Sequence, residues 1–432
     1  MEKHQIIIVG AGVAGMTAAY ALRNSGLDVL VIEQREDIPN TLNPGKYTRV
    51  TFMDFLNDPR LEDARPLESI IQKYSSVAFD TSGFSIFYKY FDEPFCVINT
   101  DKYIQNLEEA IKQSTNKIEI RRGIFVRDAK RIDTGIKLID SCDKEYSAKI
   151  VIDCSGTCAV TLNGLGYKKS PVYFTVIGYE LENCKIPNKE TVRIFMDKTI
   201  TDNGGGWLYP ISENRCHFGA SVIVPYSKTS EDDLRARAFN LKKWDKYEEW
   251  VGEATMVQGT EIIIESPTLE PVTMYGDNWI GVGDSVANAA SYIGEGVRPS
   301  ALMALAAGEV AIEAFEDSNF SKEKLAAYIK EYQNQFGKYV IWSLAARNCF
   351  SRNYDDADWE QTFRRIQDNC KADDFMKILR SEYTRGIVLN MVGPEFFKAV
   401  LLGEAKNLHD SIFSIFQHIA DAAQFRLFGG VI

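Results

Sequence analysis

The sequence predicts an α/β fold: a parallel nucleotide-type sheet built from separated segments, an antiparallel sheet inserted between them, and a helical C-terminal region. Three observations carry this. "IIIVGAGVAGMTAAY" (6–20) joins an apolar strand, a glycine-rich turn and a run of small residues. A second strand-and-glycine pattern, "NWIGVGDSVANAASYIGEGVRPSALMALAAGEVA" (278–311), lies far downstream. Between 167 and 267, apolar and polar residues alternate as antiparallel strands require.

The first element is the most telling. Ile6 to Val9 is an all-apolar run of the kind buried in a parallel sheet. Gly10-Ala11-Gly12-Val13-Ala14-Gly15 then fits G-x-G-x-x-G and leads into a small-residue helix from Met16 to Arg23. Gly10 permits a tight turn, Gly12 lets backbone approach a diphosphate, and Gly15 allows close helix–strand packing, with the helix N-terminus facing the phosphates. Gly26 ends the helix, and Leu27 to Ile32 is a second buried strand closing on Glu33-Gln34-Arg35. A carboxylate at that strand end is placed to accept hydrogen bonds from an adenosine ribose. A fingerprint so close to the N-terminus favours FAD over NAD.

The downstream pattern supplies the other half of such a site. Trp279 to Val282 reads as a buried strand with Gly283-Asp284 at its end, and Gly294-Glu295-Gly296 opens a helix from Val297 to about Phe315. Asp284 is placed to bind a sugar-alcohol hydroxyl. The Gly294–Gly296 turn, with Val297, sets backbone N–H groups and a positive helix end against the electron-poor edge of a flavin. "AKIVIDCSG" (148–156) is a strand returning to the nucleotide sheet, and "IEIRRGIFV" (118–126) looks like the strand whose Val126 backbone, in the flavoprotein group that the chain resembles, reaches the adenine.

Bulk properties narrow the field. The chain has 432 residues, net charge −11, 45% hydrophobic and 25% charged residues. Its mean hydropathy is −0.20 and its pI near 5.1. The acidic balance argues against nucleic acid, since phosphate backbones require a basic surface. Eight scattered cysteines with no C-x-x-C pair read as reduced thiols of a cytoplasmic protein. Four histidines without ligand spacing speak against a metal site, and no apolar run has spanning length.

With these motifs in place, the chain resembles the flavoprotein group of geranylgeranyl reductases, hydroxylase-type flavin monooxygenases and flavin halogenases. Gly283-Asp284 followed by Gly294-Glu295-Gly296-Val297 points to the geranylgeranyl reductases in particular. That family carries Y-x-W-x-F-P, seven or eight residues, then G-x-G. Here Gly205, Trp207, Tyr209 and Pro210 fall on the motif, followed by eight residues and Gly219-Ala220-Ser221. The first aromatic and the last glycine of the motif are missing. Trp207 and Tyr209 would form an apolar wall for substrate. The family cysteine is absent from the loop "NTLNPGKYTRVTF" (40–52), leaving Lys46 and Arg49 as its charged residues, and Thr100 stands where an arginine is typical. Lys46 is expected on the substrate side and Arg49 on the cofactor side.

The resemblance implies an FAD-binding domain over 1–165 and 270–320, an antiparallel substrate domain over 166–269, and a helical cap over 321–432. It also implies reduction of carbon–carbon double bonds in a hydrophobic isoprenoid-like substrate, with Tyr209 and Tyr292 as candidate proton donors. No second G-x-G-x-x-G serves a nicotinamide, so electrons must come from NAD(P)H visiting the same flavin or from a ferredoxin-like carrier. The aromatic, amphipathic C-terminal helices leave open a peripheral contact with a membrane. Two other readings stand beside this one: a monooxygenase or halogenase acting on a hydrophobic or aromatic body, and a non-redox cyclase or isomerase of the lycopene cyclase type.

Overall fold

The computed structural model describes residues 1–36, 48–89, 95–114, 118–198, 200–240, 247–258, 262–267, 273–289, 294–337, 346–347, 354–380, 382 and 384–392. Among the described residues the chain is mixed α/β, with three sheets.

The nucleotide sheet runs in the order Tyr275–Gly276, Trp279–Gly281, Glu145–Asp153, Glu2–Val9, Val29–Ile32, Ile118–Arg121. From Trp279–Gly281 onward its neighbours are parallel, with Ile6 opposite both Ile150 and Val29. Their central runs, Ile6–Val9, Val29–Ile32 and Ile150–Ile152, are apolar without alternation because both faces are covered. A hairpin, Val126–Ile132 and Gly135–Asp140, adds antiparallel pairing to the strand Glu145–Asp153. The first helix, Val13–Ala21, packs on the long helix Val297–Glu316. Their axes approach closely enough that a Cβ on Gly308 would lie 2.5 Å from the Cβ of Ala21.

The second sheet contains the strands expected between 166 and 269: Tyr173–Glu182, Thr191–Phe195, Gly205–Pro210 and Arg215–Val224. It extends beyond that range. Ser76–Asp80 pairs in parallel with Thr191–Phe195, and Ser85–Lys89 adds to its edge, so residues inside the stretch assigned to 1–165 belong to this layer. The ion pair of Arg193 with the fully buried Asp80, at 2.9 Å, fastens that junction. A third, small sheet, Thr48–Phe52, Phe95–Asn99 and Ile70–Tyr74, lies between the two.

Alternation divides the second sheet into two faces. Ile177, Leu181, Phe218, Ala220 and Val222 share a core with Leu234 and Ala238 of the helix Glu231–Asn240. Phe174, Val176, Trp207, Tyr209 and Ile223 point the other way, into a cavity. Three helices, Asp356–Asn369, Ala372–Leu379 and Arg385–Val392, contribute to the far side of that cavity. No helix among the described residues is long and apolar enough to cross a membrane.

Candidate functional site

A cavity of about 780 Å³ runs from the glycine turn of the first sheet to the aromatic face of the second. Its lining includes Gly12, Val13, Ala14, Arg35, Arg49, Asp284, Gly294, Gly296 and Val297 of the expected cofactor set. It also includes Trp207 and Tyr209 of the expected substrate wall. Gly10, Ala11, Gly15, Glu33, Gln34 and Val126 stand outside that lining. Lys46 and Tyr292 lie outside the described residues.

The three glycines of the turn divide their work as their positions suggest. Gly10 has φ +101°, and a Cβ there would sit 2.3 Å from the carbonyl oxygen of Cys154. At Gly15 the same atom would be 1.8 Å from the carbonyl of Gly10. Gly12 is different: its Cβ would meet nothing within 4 Å. Gly10 and Gly15 are therefore required by the chain's own packing, while the space beside Gly12 is open among the described residues. A bare helix N-terminus adjoins it, since Gly12 caps the first helix without any side-chain hydrogen bond.

Glu33 buries its carboxylate under this turn. Ala11 N donates to Oε2 at 2.7 Å and Arg35 N donates to Oε1 at 2.9 Å. The acidic strand end thus also shapes the glycine loop, a contact the spacing alone did not show.

Across the cavity, Asp284 follows the strand Trp279–Gly281. Burial raises its carboxyl to about 6, against the opposing pull of Arg49. Burial likewise draws the Arg49 guanidinium below its ordinary range, with Asp284 and then Asp101 acting the other way. Gly296 is in contact with Asp284, because a Cβ on it would lie 3.5 Å from Oδ1. Gly294, at φ +71°, faces the ring of Phe174. The Gly294–Gly296 turn therefore spans from the sheet's apolar face to Asp284. Between the two glycines, Glu295 accepts from Thr51 Oγ1 and Arg298 N, each at 2.9 Å, and burial raises it to about 7.

The substrate-side wall is a plate of three rings. Trp207, Tyr209 and His217 have mutual centroid distances of 6.0, 6.1 and 6.3 Å and interplanar angles of 8° to 19°. Near-parallel rings with nearly equal spacings cannot all lie face to face, so they tile side by side. Trp207 is laid flat on the sheet by Gly219, where a Cβ would come within 2.4 Å of Cζ2. Burial pushes the Tyr209 hydroxyl far above its ordinary range, so it stays protonated. Opposite the plate, Trp359, Phe363, Ile366, Ile378 and Met391 complete an apolar chamber.

His217, Asp101 and Glu295 are cavity residues that sequence reasoning passed over as site candidates. The signal for His217 was present: "RCHFGAS" alternates, which places His217 on the same face as Gly219. Asp101 and Glu295 have no comparable signal, because each is a lone acid at the start of a helix.

The comparisons with known proteins agree with this geometry. A family model described as an NAD(P)-binding Rossmann-like domain matches residues 8–41. The chain is 24% identical over 369 residues to digeranylgeranylglycerophospholipid reductase 1 of Methanosphaera stadtmanae, covering 82% of this chain and 87% of that protein. In fold it is similar to a geranylgeranyl bacteriochlorophyll reductase-like protein from Thermoplasma acidophilum, with TM-score 0.77 and 15% identity over 94% and 99% of the two chains. A flavin-dependent brominase shares the fold at TM-score 0.63 and 17% identity, over 96% and 100%. The motifs, the cavity and these likenesses together make the chain an FAD-dependent oxidoreductase related to the geranylgeranyl reductases.

Proposed function

We propose that the chain reduces carbon–carbon double bonds of a hydrophobic, isoprenoid-like substrate. The observation that carries this is the continuity of one cavity, which joins the dinucleotide turn to a chamber walled by Phe174, Trp207, Ile223, Trp359 and Phe363. A chamber of that character holds an apolar chain by shape and excludes water. FAD, when bound and reduced, supplies hydride; everything else falls to the protein.

Gly12 and the first helix leave room and donors for the diphosphate. Asp284 and the Gly294–Gly296 turn, which line the cavity together, would hold the sugar-alcohol chain and the ring edge. The flat plate of Trp207, Tyr209 and His217 orients a planar alkene. Tyr209, kept protonated by burial, is the described candidate for delivering a proton to the second carbon. Electrons arrive from an external donor, a nicotinamide or a small carrier protein.

The test is an anaerobic one. The purified yellow protein is reduced, mixed with a geranylgeranyl lipid and followed by its absorption. Prompt return of the oxidised spectrum, with a product heavier by two hydrogens, supports the reading. Reoxidation only in the presence of O₂ would favour an oxygenase or halogenase. Isomerisation with the flavin still reduced would favour a cyclase.

A further inference from the structure

At the dinucleotide end of the cavity lies an acid with an unmet need. Asp101 occupies the first turn of the helix Thr100–Gln113, lines the cavity and is 1% exposed. Its own backbone N–H is taken by the Asn99 side chain at 2.9 Å, but its Oδ2 has no hydrogen-bond partner among the described residues. Buried polar atoms are rarely left so, and one that is calls for an explanation, a missing ligand among them.

The surroundings say which ligand. Tyr103 Oη and Thr17 Oγ1, 3.0 Å apart, tie this helix to the first helix. Their two N-termini thereby converge on the part of the cavity lined by Gly12, Val13, Thr100 and Asp101. Both helix ends favour an anion. Arg35 and Arg49 line the same cavity and both act electrostatically on Asp101. Everything there suits a diphosphate except Asp101, whose negative charge would repel it.

We propose that Asp101 is a cofactor-binding residue that holds the FAD diphosphate as a neutral acid, its Oδ2–H donating to a phosphate oxygen, so that binding takes up one proton from solvent. Burial already raises this carboxyl to about 6 against the pull of Arg35 and Arg49. A second negative group brought alongside acts in the same direction. The other charges around it among the described residues are accounted for. Glu33 is engaged by Ala11 and Arg35, Lys102 pairs with Glu68 at 3.8 Å, and the first helix carries no charged side chain. Asp284, also raised to about 6, stands beyond Arg49 and is the group to be told apart from Asp101.

The test needs no substrate. The full chain, stripped of flavin, is titrated with FAD and with ADP-ribose from about pH 5 to about pH 8, bracketing the shifted value. Neither ligand titrates in that window, and ADP-ribose carries the same diphosphate without the ring. Both affinities should fall as pH rises through about 6, by up to tenfold per pH unit. Calorimetry in buffers of different ionisation enthalpy should report uptake of one proton. Asp101→Asn, always a donor, should bind both ligands with a flat pH profile, while Asp284→Asn should keep the slope. A flat wild-type profile, a slope that survives in Asp101→Asn, or a slope for FAD without one for ADP-ribose would each overturn the proposal. The wild-type titration and the buffer series decide the matter even if a variant folds poorly.

Discussion

Trp207 donates its indole N–H to Nδ1 of His217 at 2.9 Å, the two rings lying within 8° of parallel. An indole nitrogen can only donate, so the histidine must accept at Nδ1 and carry its own proton on Nε2. Protonating Nδ1 would break this bond inside the cavity wall. Burial, and secondly the charge of Arg49, hold the imidazole down to about 3.

A pH dependence of stability follows from that histidine. Its folded pKa lies below its unfolded value, so between about 3 and about 6.5 the unfolded chain binds the extra proton and the folded chain does not. The stabilisation is complete above about pH 6.5 and is lost as pH falls toward about 3, by about 5 kcal/mol at most. Urea melts across that range should show the loss in the parent and a shallower slope in His217→Phe. Parallel slopes in both would show that other groups govern the acid limb.

Gly219→Ala places a methyl group 2.4 Å from Trp207 Cζ2 and 2.5 Å from the carbonyl of Ile177. Backbone on one side and a hydrogen-bonded indole on the other leave little room to yield. A loss of about 1–3 kcal/mol in stability is expected. A shift in tryptophan emission should accompany it as the plate tilts. Unchanged emission and melting would refute the packing described here.

Two glycines of one turn should behave oppositely. Gly12→Val adds its side chain to open space, so the protein should fold with a normal circular dichroism spectrum and melt yet remain colourless. Gly15→Ala drives a carbon to 1.8 Å from the Gly10 carbonyl, so the fold itself should suffer whether or not FAD is present. A yellow Gly12→Val protein with parental affinity would remove the diphosphate from this turn.

Glu295→Gln tests the acid between the cavity's two glycines. Its folded pKa is raised above the unfolded value, so the linked stabilisation is present at low pH and lost as pH rises through about 7. The glutamine variant lacks that titration, and its melting temperature should decline less between about pH 4.5 and about pH 7 than the parent's. Identical profiles would mean that burial does not perturb Glu295.

Much of this was written in local patterns. The run Ile6–Val9 declares a strand and Gly10–Gly15 a tight strand-to-helix turn by residue type alone. The alternation from Tyr173 to Val224 likewise announced the second sheet. What escaped depends on pairing between distant segments. Nothing within "SVAFD" (76–80) tells that it will lie beside Thr191 rather than in the first sheet. Glu33's grip on Ala11, and the meeting of Asp101 with Arg49, arise from turns and crossovers that no periodicity encodes.

The strand Glu145–Asp153 pairs on one side with Glu2–Val9, and the same strand's last three residues pair on the other with Trp279–Gly281. The hairpin strand Gly135–Asp140 covers the first part of that second edge, so during synthesis only Val151–Asp153 wait for a partner until well over a hundred further residues have left the ribosome. On the proposed function cofactor capture waits for the same moment, because Asp284 and the Gly294–Gly296 turn arrive with that late strand and the helix behind it. A chain truncated before Trp279 would thus be colourless and would leave Val151–Asp153 open to pairing with a neighbour's strand.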